Sequence, residues 1–180
     1  MCLWAAILVL GLLLADAAPL RAEVRTAAGA ETGAYADVAA WGTVWADTAA
    51  RDGRFRLFGS ASLGNGLKRR VTAGKADSGY SWRSSGGALV CRGELCGGPI
   101  VRWSGYRSEW ADGVVWEKDN VRPGAALRWR HRSTEVWLIA DDSNVSADVW
   151  IMLSAWGMRA RFTSQDEGGG AVLAQVVRRF

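Results

Sequence analysis

Beyond residue 53 the chain alternates between short apolar or β-branched runs and clusters of turn-forming residues. Arg54-Phe55-Arg56-Leu57-Phe58 leads to Gly64-Asn65-Gly66, and Tyr80-Ser81-Trp82-Arg83 leads to Ser84-Ser85-Gly86-Gly87. Ile100-Val101-Arg102-Trp103 follows, then Val114 to Lys118 after Ala111-Asp112-Gly113, and Pro123-Gly124 turns the chain into Ala125 to Arg132. The last runs are Glu135 to Ala140, Val149 to Leu153 and Ala171 to Val177. Runs of this length bounded by Gly, Ser, Asn and Pro read as antiparallel strands. The pattern predicts a mainly β fold, an antiparallel β-sandwich or barrel of about eight to nine short strands, and not alternating βαβ units.

One stretch departs from that rhythm. Between residues 35 and 51, Val38, Trp41, Trp45 and Ala49 recur at helical spacing in an Ala-rich context, with Asp37 as a cap and Asp52-Gly53 as a stop. This predicts one N-terminal helix whose Trp stripe packs on the sheet. Residues 23–34 are small and polar and read as a flexible lead-in. Ahead of them, residues 1–22 combine an apolar run of signal-peptide length with small-residue cleavage patterns, although no basic residue precedes the run. The expected organisation is a signal peptide over 1–22, a lead-in over 23–34 and a single β-rich domain over 35–180. No later segment has the roughly 18 uninterrupted apolar residues of a membrane-spanning helix.

Composition adds three points. Eleven tryptophans in 180 residues require burial, a flat ligand to stack on, or a membrane interface. Nineteen Arg stand against three Lys, with a net charge of +4, which suits planar contacts to carboxylate, sulfate or phosphate. A GC-rich coding sequence produces the same bias without any function. Once Cys2 leaves with the leader, Cys91 and Cys96 remain, and an even count in an exported chain predicts a disulfide closing the Cys91–Cys96 loop. A lone C-x4-C pair with a single His in the chain offers no metal site, and no motif calls for a cofactor.

Two clusters are candidates for recognition. In Leu127-Arg128-Trp129-Arg130-His131-Arg132, period two places Leu127, Trp129 and His131 on one face and Arg128, Arg130 and Arg132 on the other. The three guanidiniums need either an anionic ligand or acids such as Glu135, Asp141 or Glu117 across the sheet. Around Trp103, Tyr106 and Trp110, with Trp116 beyond, rings mix with Ser, Gly, Arg and Glu as in sugar sites; core aromatics flanking a hairpin look the same. Glu109 and Glu117 lie near these rings, but spacing alone does not make them a glycosidase pair. Asn144-Val145-Ser146 is a glycosylation sequon.

His131-Arg132-Ser133 is similar to the His-x-Ser motif of outer-membrane lipid A deacylases, which are small eight-stranded barrels. The resemblance covers three residues, and Thr134 stands where that family usually has Asn. It implies His131 and Ser133 as a catalytic pair in the outer membrane.

The reading with most support in the sequence is an exported, non-enzymatic binding protein, secreted or periplasmic. Trp103, Tyr106, Trp110, Trp116, Arg128, Trp129, Arg130 and Arg132 would hold a glycan or another anionic envelope ligand such as lipopolysaccharide; nucleic acid is a weaker fit. The rivals are an outer-membrane β-barrel with interfacial Trp belts, a small hydrolase, and a protein–protein module. The placement of the rings discriminates: one exposed cluster beside arginines marks a binding surface, whereas two girdles mark a membrane barrel.

Overall fold

The structure is a computed structural model that describes residues 21–33, 36–50, 53–66, 78–109, 115–165 and 170–180. Ten antiparallel strands form one closed barrel. They are β1 (Arg21–Gly33), β2 (Ala36–Ala49), β3 (Phe55–Gly66), β4 (Ser78–Arg92), β5 (Leu95–Glu109), β6 (Val115–His131), β7 (Thr134–Asp141), β8 (Asn144–Leu153), β9 (Trp156–Gln165) and β10 (Gly170–Arg179). Each strand pairs with the next in sequence, and β10 closes on β1 from Arg25↔Arg179 to Gly33↔Ala171. Closure excludes the sandwich alternative. Followed once around, the pairs accumulate a stagger of about 12 residues, which tilts the strands by about 40° from the barrel axis.

Two expectations about the N-terminal third are corrected. The predicted helix is β2, with Trp41, Thr43, Trp45, Asp47 and Ala49 all buried on one face and Gly42, Val44 and Ala46 exposed on the other. A spacing of four is even, so Trp41, Trp45 and Ala49 satisfy a strand's period as well as a helix's. The predicted flexible lead-in is β1, hydrogen-bonded on both sides by β2 and β10. Among the described residues no helix occurs. The expected signal peptide lies almost wholly outside the described residues.

The strands are also longer than predicted, up to 17 residues in β6, because several supposed turns lie inside them. Ser84-Ser85-Gly86-Gly87 is mid-β4, and Pro123-Gly124 is mid-β6. A Cβ on Gly124 would collide with the Ala140 carbonyl oxygen, so the glycine permits the close approach of β6 and β7. Pro123 sits one residue beyond the β6–β7 ladder, which ends at Gly124↔Asp141, where its missing N–H leaves no gap in that ladder.

One rim carries tight two-residue turns at Gly93-Glu94, Arg132-Ser133 and Ser154-Ala155. Each has a positive φ at its first position (63°, 50° and 62°). This turn rim also holds the start of β1 and the end of β10. Cys91 and Cys96 face each other across β4 and β5 beside it and are disulfide-bonded, as the spacing predicts.

Candidate functional site

Period two sorts the side chains into a lumen set and an outer set, and the two differ in chemistry. On β6 the outward positions run Glu117, Asp119, Val121, Pro123, Ala125, Leu127, Trp129, His131, with no charge from Val121 to Trp129. Outward Val90, Val121, Leu153 and Met158 expose between 64% and 72% of their surface. The charged side chains of the strands point instead into the lumen, where Arg25, Asp47, Arg128, Glu135, Asp148 and Arg159 are almost completely buried. Exposed charges on the outer face occur at the rims: Arg92 and Arg178 near the turns, and Arg107, Glu117 and Asp119 at the opposite end.

The lumen is filled in layers, ionic and aromatic in turn. Nearest the turn rim, Glu135 accepts from Arg25 Nη2 at 3.0 Å and Arg128 Nη2 at 2.9 Å. Asp47 takes Arg56 Nη2 at 2.7 Å and Arg128 Nη2 at 3.3 Å. Glu23 takes Arg25 Nε at 2.8 Å and Arg130 Nη1 at 3.2 Å. Above this lies an aromatic layer. Trp45 stacks on Phe58 at 5.1 Å and meets Trp137 and Trp150 at 4.8 and 5.7 Å. Arg25 and Arg159 lie over the Trp150 ring at 5.1 and 4.6 Å, so guanidiniums border the aromatic layer.

The third layer is ionic again. Asp148 accepts from Arg159 Nη2 at 2.8 Å and from Arg161 Nε and Nη2, both at 2.7 Å. Arg159 continues to Gln175 at 2.9 Å, and Gln175 donates to Thr43 at 3.1 Å. Higher still, Arg83 grips Glu31 with both terminal nitrogens and covers Trp41 at 4.2 Å, while Arg102 reaches Asp141 at 2.6 Å. Such pairing keeps buried charges from standing alone, and it cross-braces the lumen.

Of the residues singled out from sequence, those whose side chains are described do not form one surface. Arg128 is in the lumen, Arg130 is half-buried at the turn-rim mouth, and Arg132 is exposed in the turn itself. Trp129 is outside, 42% exposed and stacked on His131. The predicted alternation holds from Leu127 to His131, Arg132 lies in the turn beyond β6, and Arg128 pairs with Glu135 and Asp47. Trp103 and Tyr106 are partly buried on β5 near the opposite rim, and Trp103 meets Trp82 at 6.3 Å. Trp103 pairs with Val121, so its level is about 30 Å along the strand from Arg130. Trp116 belongs to β6, opposite Ser108. Trp110 lies outside the described residues.

The His-x-Ser resemblance finds no dyad here. His131 Nδ1 is hydrogen-bonded to Glu94 Oε1 at 2.6 Å on the exposed outer side, whereas Ser133 lines a cleft at the mouth of the lumen. No group of three or more metal-ligating side chains occurs among the described residues. What sequence reading missed is the lumen network of Arg25, Glu31, Asp47, Arg83, Asp148, Arg159 and Arg161. A signal for part of it was available: Trp45-x-Asp47, Glu135-x-Trp137 and Asp148-x-Trp150 each set a charge beside a Trp on one strand face.

No family model and no curated protein matches the sequence. Among solved structures the chain is similar to the translocator domain of the autotransporter NalP from Neisseria meningitidis, with 10% identity, 93% of this chain and 91% of that one covered, and a TM-score of 0.48. It is also similar to Ail, the attachment invasion locus protein of Yersinia pestis, in complex with the heparin analogue sucrose octasulfate (8% identity, 89% and 97% covered, TM-score 0.46). A third is a major outer membrane protein from Thermus thermophilus (10% identity, 90% and 100% covered, TM-score 0.44). Overlaps of this extent leave the chain's own two faces to decide its setting.

Proposed function

We propose that the chain is an integral outer-membrane β-barrel with a closed lumen, a non-enzymatic envelope protein and not a diffusion pore. The observation that carries this reading is the inverted distribution of charge. A water-soluble barrel hides its apolar positions and exposes its charges; here the outer face is apolar and the lumen holds the ionic network. In water, a continuous apolar belt would be far larger than the patches soluble monomers expose. In a bilayer, a charge on the lipid face costs about 2–4 kcal/mol at the midplane, which favours this segregation.

The rings support the same conclusion. Tyr80, Trp82, Trp103 and Phe162 face outward toward one end, and Phe55, Trp129, Trp156 and Phe180 toward the turn rim. The uncharged band that these two groups bound is about 24 Å tall at the barrel's tilt, close to the apolar belt of outer-membrane barrels. Two girdles, not one cluster, is the arrangement expected of interfacial belts. Tight turns lie on the periplasmic side of such barrels, which puts the turn rim there.

The test is cell fractionation with heat-modifiable electrophoresis. The protein should need detergent for extraction and should migrate faster unboiled than boiled. Release by osmotic shock without detergent would overturn the reading. In planar bilayers the closed lumen predicts no stepwise conductance.

A further inference from the structure

At the turn-rim mouth the lumen opens into a cleft of about 220 Å³. Four guanidiniums line it, from Arg25, Arg130, Arg132 and Arg179, together with the Ser133 and Thr134 residues. Glu135 is the single carboxylate in the lining, and it is already committed to Arg25 and Arg128 and accepts the Trp137 indole N–H. Glu23, beside the cleft, is shared among Arg25, Arg130 and, at 3.9 Å, Arg179. Positive charge therefore exceeds negative around a space that holds about seven water molecules or one small organic anion.

Arg132 distinguishes this cleft from a structural ion network. It is held at a φ of 50°, a backbone conformation uncommon for a residue with a Cβ, in the turn at the mouth. Among the described residues no carboxylate pairs with it. Unlike the deeper arginines, it does not brace the lumen; it is exposed and lines the cleft.

We propose that this cleft is a binding site for a small oxyanion, a phosphate or carboxylate group presented from the periplasmic side, held between Arg130, Arg132 and Arg179. Guanidinium forks match both anions in shape and charge. The site rests on the membrane reading only for the side it faces.

The test uses the full barrel in uncharged detergent at low ionic strength, with inorganic phosphate as probe and ³¹P line broadening as readout. Saturable broadening is expected, weakened at least about tenfold by Arg132→Asn combined with Arg130→Gln. Asn accepts positive φ, and heat-modifiable migration checks that the variant is folded. Arg92→Gln, on the same rim but outside the cleft, should change nothing. Displacement by equimolar acetate supports a general oxyanion site, and retention of phosphate against acetate supports a phosphate site. The proposal is overturned by absent saturation, by unchanged binding in the double variant, or by equal loss in Arg92→Gln. A barrel that inserts but binds neither anion overturns this site alone and leaves the membrane reading standing.

Discussion

Arg25 on β1 and Glu135 on β7 form an ion pair across the barrel lumen, Nη2 to Oε2 at 3.0 Å, between strands that share no backbone ladder. They are 110 residues apart in sequence. The tie runs directly below the Trp45–Phe58–Trp137–Trp150 layer, so one carboxylate fixes the floor of the plug. Glu135→Gln would leave Arg25 and Arg128 buried without their main counter-charge. The expected loss is about 3–5 kcal/mol of unfolding free energy, measured by urea titration in vesicles. A loss below about 1 kcal/mol would mean that the lumen is wetter than the packing implies.

The aromatic layer also closes the lumen. Trp45 and Trp150 are almost wholly buried and contact each other at 5.7 Å. Replacing both with Ala should create stepwise conductance in planar bilayers where the parent has none. The current should favour anions, because among the described residues lumen arginines outnumber lumen acids. Continued silence in a correctly inserted double variant would show that the ionic layers alone seal the lumen.

The outer face can be tested by depth. Ala125 lies midway between Val121 and Trp129 on the outer face of β6, and His131 lies past the lower girdle. Ala125→Arg should cost about 2–4 kcal/mol and His131→Arg about 0–1 kcal/mol. Equal costs at the two positions, read by unfolding in vesicles, would contradict a bilayer around the band.

The Cys91–Cys96 bond closes a hairpin that the β4–β5 ladder already aligns. Replacing both residues with Ala should therefore lower stability by about 2 kcal/mol or less, with the barrel intact. A reducing agent should produce the same loss in the parent and none in the variant. Failure of the variant to insert would assign the bond a role in assembly.

Much of the β architecture was legible in the chain. The alternation along Leu127–His131 gave the two faces of β6 correctly, and the Cys91-to-Cys96 spacing gave the hairpin disulfide. The errors have physical causes. Trp41, Trp45 and Ala49 fit both a helix and a strand, since four is a multiple of two. Gly86-Gly87 and Pro123-Gly124 imitate turns, yet they lie inside β4 and β6, where a Cβ at Gly87 or Gly124 would collide with the backbone of the neighbouring strand. Trp103, read from its polar neighbours as a ligand-site ring, faces outward in a group with Tyr80 and Trp82, an arrangement that only the paired strands reveal.

By itself the sequence determined that the chain is β, that its side chains divide into a polar set and an apolar set, and that its tryptophans need a non-aqueous setting. Only the tertiary structure decided which set is enclosed. Alternation defines two faces but carries no sign, and closure supplies it: joining β10 to β1 turns one face inward. That step brings Arg25 to Glu135 and Arg159 to Asp148, and leaves Val90, Val121, Leu127 and Leu153 outside. Closure depends on strand register around the whole circuit, a property no local window of residues contains.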